Sequence, residues 1–323
     1  MSRKFRIEVI SHEGAQAFWE ESPQATAFNH PGLLSVLSES VTWWAAWRSD
    51  DLVAVLPICR TIDGHLRPPV FAYYVGPLLN QEIHEFKYHR YWAIRQQALE
   101  ALVAHLAETY AAFQFALPVG FTDVRAFDWW NHDNGDHGRF EMIPRQTVRL
   151  TGLQSSDPGT IRQGFARNRK RDLKSTESAP PEQVDDWTTS EVLALHDAPL
   201  RNQGKQVPPA RRKTLQRLVE QAAEGKGKVL AYRDRNSEDL ASAIVLLYGR
   251  NDANNVLCVA NPAYRENGLT AWTTWQGILQ ARNDGFDLFD FNGANSPRRA
   301  ADKHCYGARD SIYFNIRYQA THA

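Results

Sequence analysis

Cysteine and methionine are scarce in this sequence, with three Cys and two Met in 323 residues. Cys59, Cys258 and Cys305 lie far apart and form no C-x-x-C pair. That excludes a disulfide scaffold and fits a reducing compartment. An excess of one charge is missing too. The 37 basic and 37 acidic residues cancel, so no global field favours DNA or an anionic membrane, and any polyanion site has to be local. Long hydrophobic runs are absent. The longest, such as "ASAIVLLY" at 241–248, fall far short of the ~20 residues that span a bilayer. The opening "MSRKFRIEVISHEG" has no apolar segment of the signal-peptide kind. A cytoplasmic protein without membrane insertion is therefore expected. There is no G-x-S-x-G, no Walker loop and no H-E-x-x-H. His132, Asp133, Asp136 and His137 crowd one loop without metal-ligand spacing, and no metal is expected.

What is present suggests a folded chain. Hydrophobic residues make up 43%, with ten Trp, fifteen Phe and eleven Tyr, enough for two cores of ordinary domain size. In the first half "FRIEVI" reads as a strand, followed by a helix from about Gly14 to Glu20. "SVTWWAAWRSDDLVAVLPICRTIDG" reads as a hairpin turning at Ser49-Asp50-Asp51, and "PVFAYYVGPLL" as a further strand. Ile94, Ala98, Leu102, Leu106 and Tyr110, four apart, predict one face of a long helix over 91–110. "FQFAL" returns as a buried strand, and 128–141 reads as a surface loop.

The second half repeats this order. "KVLAYRDRNSEDLASAIVLLYGR" is a hairpin turning at Ser237-Glu238-Asp239, "NNVLCVA" a strand, 268–283 a helix and "FDLFDF" the returning strand. The turns share a local pattern, "SDDLVAVL" at 49–56 and "SEDLASAI" at 237–244. The repeat predicts a duplicated α+β unit, divided as 1–150 and 151–323. Between the halves, Ile161, Phe165 and Leu173 mark the buried side of a helix over 161–175. It carries Arg162, Arg167, Arg169, Lys170, Arg171 and Lys174 against Asp172 alone. A second helix opens at Pro208-Pro209 and closes at Gly225.

The most informative stretch is "VLCVANPAYRENGLTAWTTWQGILQAR". A strand meets a helix through a turn holding Arg265 and Gly268. A helix start leaves unpaired N–H groups and partial positive charge, which suit a phosphate. Gly268 would let the backbone approach it, and Arg265 would add a donor fork. The same residues also suit a plain strand-ending turn with a solvated arginine.

The wider pattern resembles the acyl-CoA-binding core of the GNAT acyltransferase superfamily, where an R-x-x-G-x-G/A loop joins strand to helix. Here Arg265, Gly268 and Thr270 stand at those places, with Thr where the family has a smaller residue. The ending "FDFNGAN…KHCYG" is similar to the Fem-type (FemAB-like) branch through Asp290, Gly293, Lys303, Tyr306 and Gly307. The resemblance implies an α+β fold of two tandem GNAT-like domains, each a mixed, mostly antiparallel sheet flanked by helices. It implies transfer of an acyl group to an amine, from acyl-CoA or from aminoacyl-tRNA. The chain has no long heptad insertion of the kind some tRNA-using members carry, which favours acyl-CoA. The residues implied at the donor are Arg265, Asn267, Gly268, Leu269 and Thr270.

The resemblance also implies roles for three residues. Lys303 would contact the oxyanion or the donor, Tyr306 would protonate the leaving group, and Asp290 would orient the amine or act as base. Each has a plainer reading, as a surface lysine, a packed aromatic and a turn carboxylate. Arg169, Lys170 and Arg171 suit phosphates of a nucleotide-linked acceptor, a CoA 3′-phosphate or a tRNA end, or else a solvated helix face. Arg201 and Gln203 lie in a loop that could reach a small-molecule amine acceptor. Cys305 has only His304 beside it and no triad logic, so covalent catalysis is not expected. Peptide-bond formation from aminoacyl-tRNA on a cell-wall precursor or natural product, and a non-catalytic binding subunit on the same fold, are the competing readings.

Overall fold

The computed structural model describes residues 5–133, 138–235 and 237–321, with the backbone but not the side chains of 265–267. By internal contacts the chain divides into two compact units, residues 1–145 with 312–323, and residues 146–311. The division expected at 150/151 lies within a strand, and the last strand returns to the first unit.

The first unit opens with β1 (Arg6–Ile10), α1 (His12–Glu21) and α2 (Pro31–Leu37). The hairpin β2 (Ser40–Arg48) and β3 (Asp51–Arg60) follows, then β4 (Leu78–Leu79), α3 (Tyr88–Thr109), β5 (Ala112–Ala116) and α4 (Arg125–Asp128). β6 (Arg139–Thr151) leads into the second unit. There the order is α5 (Pro158–Gln163), α6 (Arg167–Glu177), β7 (Glu182–Val184), α7 (Thr189–Arg201) and α8 (Pro209–Gln221). It continues with β8 (Gly227–Arg233), β9 (Leu240–Tyr248), β10 (Asp252–Ala260), α9 (Leu269–Asn283), β11 (Leu288–Asp290) and α10 (Pro297–His304). β12 (Arg309–Gln319) leads back into the first unit.

In the first unit β1 to β4 form an antiparallel sheet, and β5 pairs antiparallel with the end of β12. The β2–β3 hairpin pairs Arg48 with Asp51, so Ser49 and Asp50 alone make its turn, Ser49 at φ 58°. The apolar stripe expected on the long helix is buried. Ile94, Ala98, Leu102 and Leu106 of α3 pack with Val53, Leu56, Phe113 and Phe115. One expectation fails here. Of "PVFAYYVGPLL" only Leu78–Leu79 is strand. Phe71, at φ 69°, breaks the extended run before it.

In the second unit the strands follow the order β6-β11-β10-β9-β8-β7, antiparallel except for β10 with β11. One face packs under α9, where Ile244, Leu246, Ala253 and Phe289 meet Trp272, Trp275 and Ile278. The single helix expected over 161–175 is two, α5 and α6, parted at Gly164–Ala166. The N–H of Ala166 leaves the helical ladder to bond the Cys305 carbonyl at 2.8 Å. Ile161, Phe165 and Leu173 are buried in the core all the same. Each unit contains a hairpin, a strand, a helix and a strand in that order, as the internal repeat predicts.

α6 and α9 touch at backbone distance, and Gly268 permits it. It caps α9 at φ 69°, and a Cβ there would lie 2.4 Å from the Asp172 carbonyl oxygen. Gly285 has a similar backbone, φ 91°, but a Cβ there would meet nothing within 4 Å. Gly285→Ala should therefore cost only the left-handed conformation, about 1 kcal/mol. Gly268→Ala should cost about 2–3 kcal/mol, because the α6 backbone must also move. Urea unfolding of both variants checks this. Equal losses would show that the contact with Asp172 is unimportant.

Candidate active site

The site begins with a fork in the sheet. β10 pairs with β11 only over Asp252–Asn254 against Leu288–Asp290. Beyond that, β10 continues to Ala260 with a bulge between Asn255 and Leu257, while β11 stops. Asn292 and Gly293, at φ 51° and 48°, turn the chain away. From Asn255 onward no β11 residue lies opposite β10, so that backbone edge has no strand partner from β11. An extended ligand segment can use such an edge as a template.

A cleft of about 990 Å³ lies in this unit. The start of α9 contributes Gly268, Thr270 and Ala271, and the start of α6 contributes Asn168, Arg169 and Asp172. α10 and its flanks contribute Ser296, Arg298, Arg299, Ala301, Asp302, Lys303 and Cys305. Of the residues expected at the donor, Gly268 and Thr270 line the cleft. Leu269 is buried in the core instead. Arg265 and Asn267 lie in the helical turn Pro262–Asn267, and their side chains are outside the described residues.

Lys303 lines the cleft, and its Nζ donates to the Asn292 carbonyl. Burial pulls its pKa down to about 8, with Asp290 pulling it up and Arg299 pushing it down. Asp290 itself is 0% exposed. Its Oδ1 accepts from Thr147 Oγ1 at 2.5 Å and from the Asn292 N–H at 2.8 Å. Its Oδ2 lies 3.6 Å from Arg149 Nε. Asp290 thus secures the turn whose carbonyl holds Lys303, and it does not line the cleft. Asp252, on the same sheet face, is a buried carboxyl that sequence reading missed. Burial and then Asp290 push its pKa up to about 6, against the pull of Arg149.

Tyr306 is 2% exposed and packs edge-on against Phe165, with Phe291 at 5.4 Å on another side. Burial raises its pKa, so it keeps its proton. It does not line the cleft. Arg169 joins α6 to α10 and the segment that follows it. Its guanidinium pairs with Asp172 at 3.0 Å and with Asp302 of α10, and stands 5.3 Å from the Tyr306 ring centre. Lys170 donates to the Gln163 carbonyl and Arg171 projects into solvent. Neither lines the cleft. Arg201 borders a separate groove of about 240 Å³ with Glu191, Ala198 and Asp239, and Gln203 is exposed in the loop beyond. Cys305 lines the cleft, its Sγ donating to the Ala301 carbonyl, while His304 pairs with Asp310 at 2.9 Å. Of the histidine and acid loop, Asp136 and His137 lie outside the described residues.

Residues 161–299 match the family model of the acetyltransferase (GNAT) domain. No curated protein matches the chain in sequence. Among solved structures, the chain is similar to FemX at 11% identity, with 96% of each chain covered and a TM-score of 0.66. It is similar to a tandem GNAT protein from the clavulanic acid biosynthesis pathway at 14% identity, with 98% of each covered and a TM-score of 0.58. It also resembles L-PGS from Bacillus licheniformis at 13% identity, covering 98% of this chain and 94% of that one, with a TM-score of 0.56. Residues 161–299 are therefore similar to a GNAT acetyltransferase domain, and the chain shares the fold of FemX and of a tandem GNAT protein.

Proposed function

We propose that the chain is an N-acyltransferase that takes its acyl group from acyl-CoA and places it on the amine of a small molecule or cell-envelope precursor. The observation that carries this reading is the β10–β11 fork in the same unit as a basic cleft whose wall includes the start of α9. The edge of β10 beyond Asn255, which has no β11 partner, suits an extended amide-containing arm, and the helix start suits a phosphate. The tandem GNAT neighbour, whose structure was determined without acetyl-CoA, supports the same choice of donor.

Transfer from a thioester to an amine forms a C–N bond and breaks a C–S bond. The amine gives up a proton and the departing thiolate takes one. Thiols ionise near pH 8.5, so the thiolate leaves readily. The protein's main task is then to stabilise the oxyanion that forms on attack. Lys303 serves it as a cation on the cleft wall, aimed by the Asn292 carbonyl. Asp290 and Tyr306 serve as supports, one holding the Asn292 turn and the other the Arg169 face.

Two outcomes test this reading. Acetyl-CoA or a longer acyl-CoA should raise the melting temperature. Saturation at a hundred times Kd corresponds to about 2.7 kcal/mol. Thr270→Glu, which sets a carboxylate in the cleft, should weaken that binding at least tenfold. If no acyl-CoA stabilises the chain and an aminoacyl-tRNA does, the donor is the tRNA.

The pH profile tests Lys303. The ammonium is present below its pKa of about 8 and lost as pH rises through it, so kcat/KM should fall above about pH 8. The assay follows CoA release from acetyl-CoA with a panel of primary amines. Lys303→Met should lower kcat by roughly 10²–10³. Lys303→Arg stays charged, so it should retain part of the activity and lose the alkaline fall. An alkaline fall unchanged in Lys303→Arg would remove Lys303 from this role.

A further inference from the structure

The cleft lined by α6, α9 and α10 holds four cations, Arg169, Arg298, Arg299 and Lys303, and two acids, Asp172 and Asp302. Both acids are engaged by Arg169. Lys303 is turned toward the Asn292 carbonyl. That leaves Arg298 and Arg299. Both are exposed, and neither has an acidic partner among the described residues. Arg298 and Arg299 both line the cleft, each one turn before another lining residue, Asp302 and Lys303 respectively.

Like charges one helical turn apart oppose each other, and Arg299 acts against the charge of Lys303 in this way. Among the described residues neither guanidinium is paired with an acid, although Arg169 is paired with two, Asp172 and Asp302. An anion from outside would relieve that opposition. Planar guanidinium forks suit phosphate, two of them most of all a terminal monoester. A monoester carries about −1.5 to −2 at neutral pH, where a phosphodiester carries −1.

Resting on the acyl-CoA reading above, we propose that Arg298 and Arg299 bind a terminal phosphate monoester of the donor, the 3′-phosphate of CoA, across the cleft from the start of α9. The diphosphate then belongs to the α9 turn, and the two groups are held by different helices. The donor would be selected by its nucleotide end as well as by its acyl end.

Titration calorimetry of the full chain with CoA and with 3′-dephospho-CoA tests this. The wild type should bind CoA at least tenfold more tightly than dephospho-CoA. In the Arg298→Gln/Arg299→Gln variant the two affinities should become equal, at the wild-type value for dephospho-CoA. Both side chains are exposed and have no acidic partner among the described residues, so the variant removes no core contact. Arg235→Gln, in the β8–β9 turn, should keep the wild-type ratio. Equal affinities in the wild type, or a ratio that survives in the double variant, would overturn the arginine assignment while leaving acyl-CoA as donor. Binding of neither ligand would overturn both.

Discussion

A carboxylate buried at the end of β11 governs the geometry of this site. Removing a charge from water costs several kcal/mol unless hydrogen bonds and a counter-charge replace the lost hydration. Asp290 has all three replacements, from Thr147, from the Asn292 N–H and from the nearby Arg149. Because one of those donors is the backbone of the next turn, satisfying the charge also dictates where the chain goes. Asn292 and Gly293 take left-handed conformations, β11 ends, and β10 runs on without it. The fork is thus a consequence of solvating one carboxylate with protein groups.

The same turn reaches Lys303. Its ammonium finds a carbonyl at Asn292 and a negative field from Asp290, while burial and Arg299 favour the neutral amine. These effects oppose one another closely enough to bring the proton equilibrium within reach of physiological pH. A lysine on an open surface would stay charged and respond little to its surroundings. Here charge state and position depend on the same few groups, so a change at Asp290 should be felt at Lys303 without any direct contact between substrate and Asp290.

Much of the fold was legible, because the strong signals were local. The α3 stripe, the two hairpins and the α9 helix each rest on periodicity within one segment. α7 was also open to reading, since Thr188 and Glu191 form a capping box before Val192, Leu193 and Leu195, yet it was overlooked. The split between α5 and α6 was not legible. It depends on Ala166 bonding Cys305, nearly 140 positions away in the chain. The site divides in the same manner. Lys303, Thr270 and Gly268 were found through a motif and meet in one cleft. Asp252 and Arg149 gave no signal, because their importance comes from strand register with Asp290. Arg298 and Arg299 stood within a noticed stretch, but that neither has an acidic partner among the described residues is a property of the folded chain alone.

Gly268 shows how a correct residue can be chosen for an incomplete reason. Sequence logic values it for letting a phosphate approach the α9 backbone. In the fold, the missing side chain also admits the backbone of α6 at Asp172. That close approach sets where Arg169 stands, and Arg169 then spans to Asp302 on α10 and covers the Tyr306 ring. The glycine, the arginine and the aspartates therefore act as one brace joining three helices around the cleft. A larger residue at 268 would disturb the wall that carries Lys303 as well as the donor turn. The demand for glycine there is structural before it is chemical, and a donor turn can sit on that brace only because the packing already excludes a side chain.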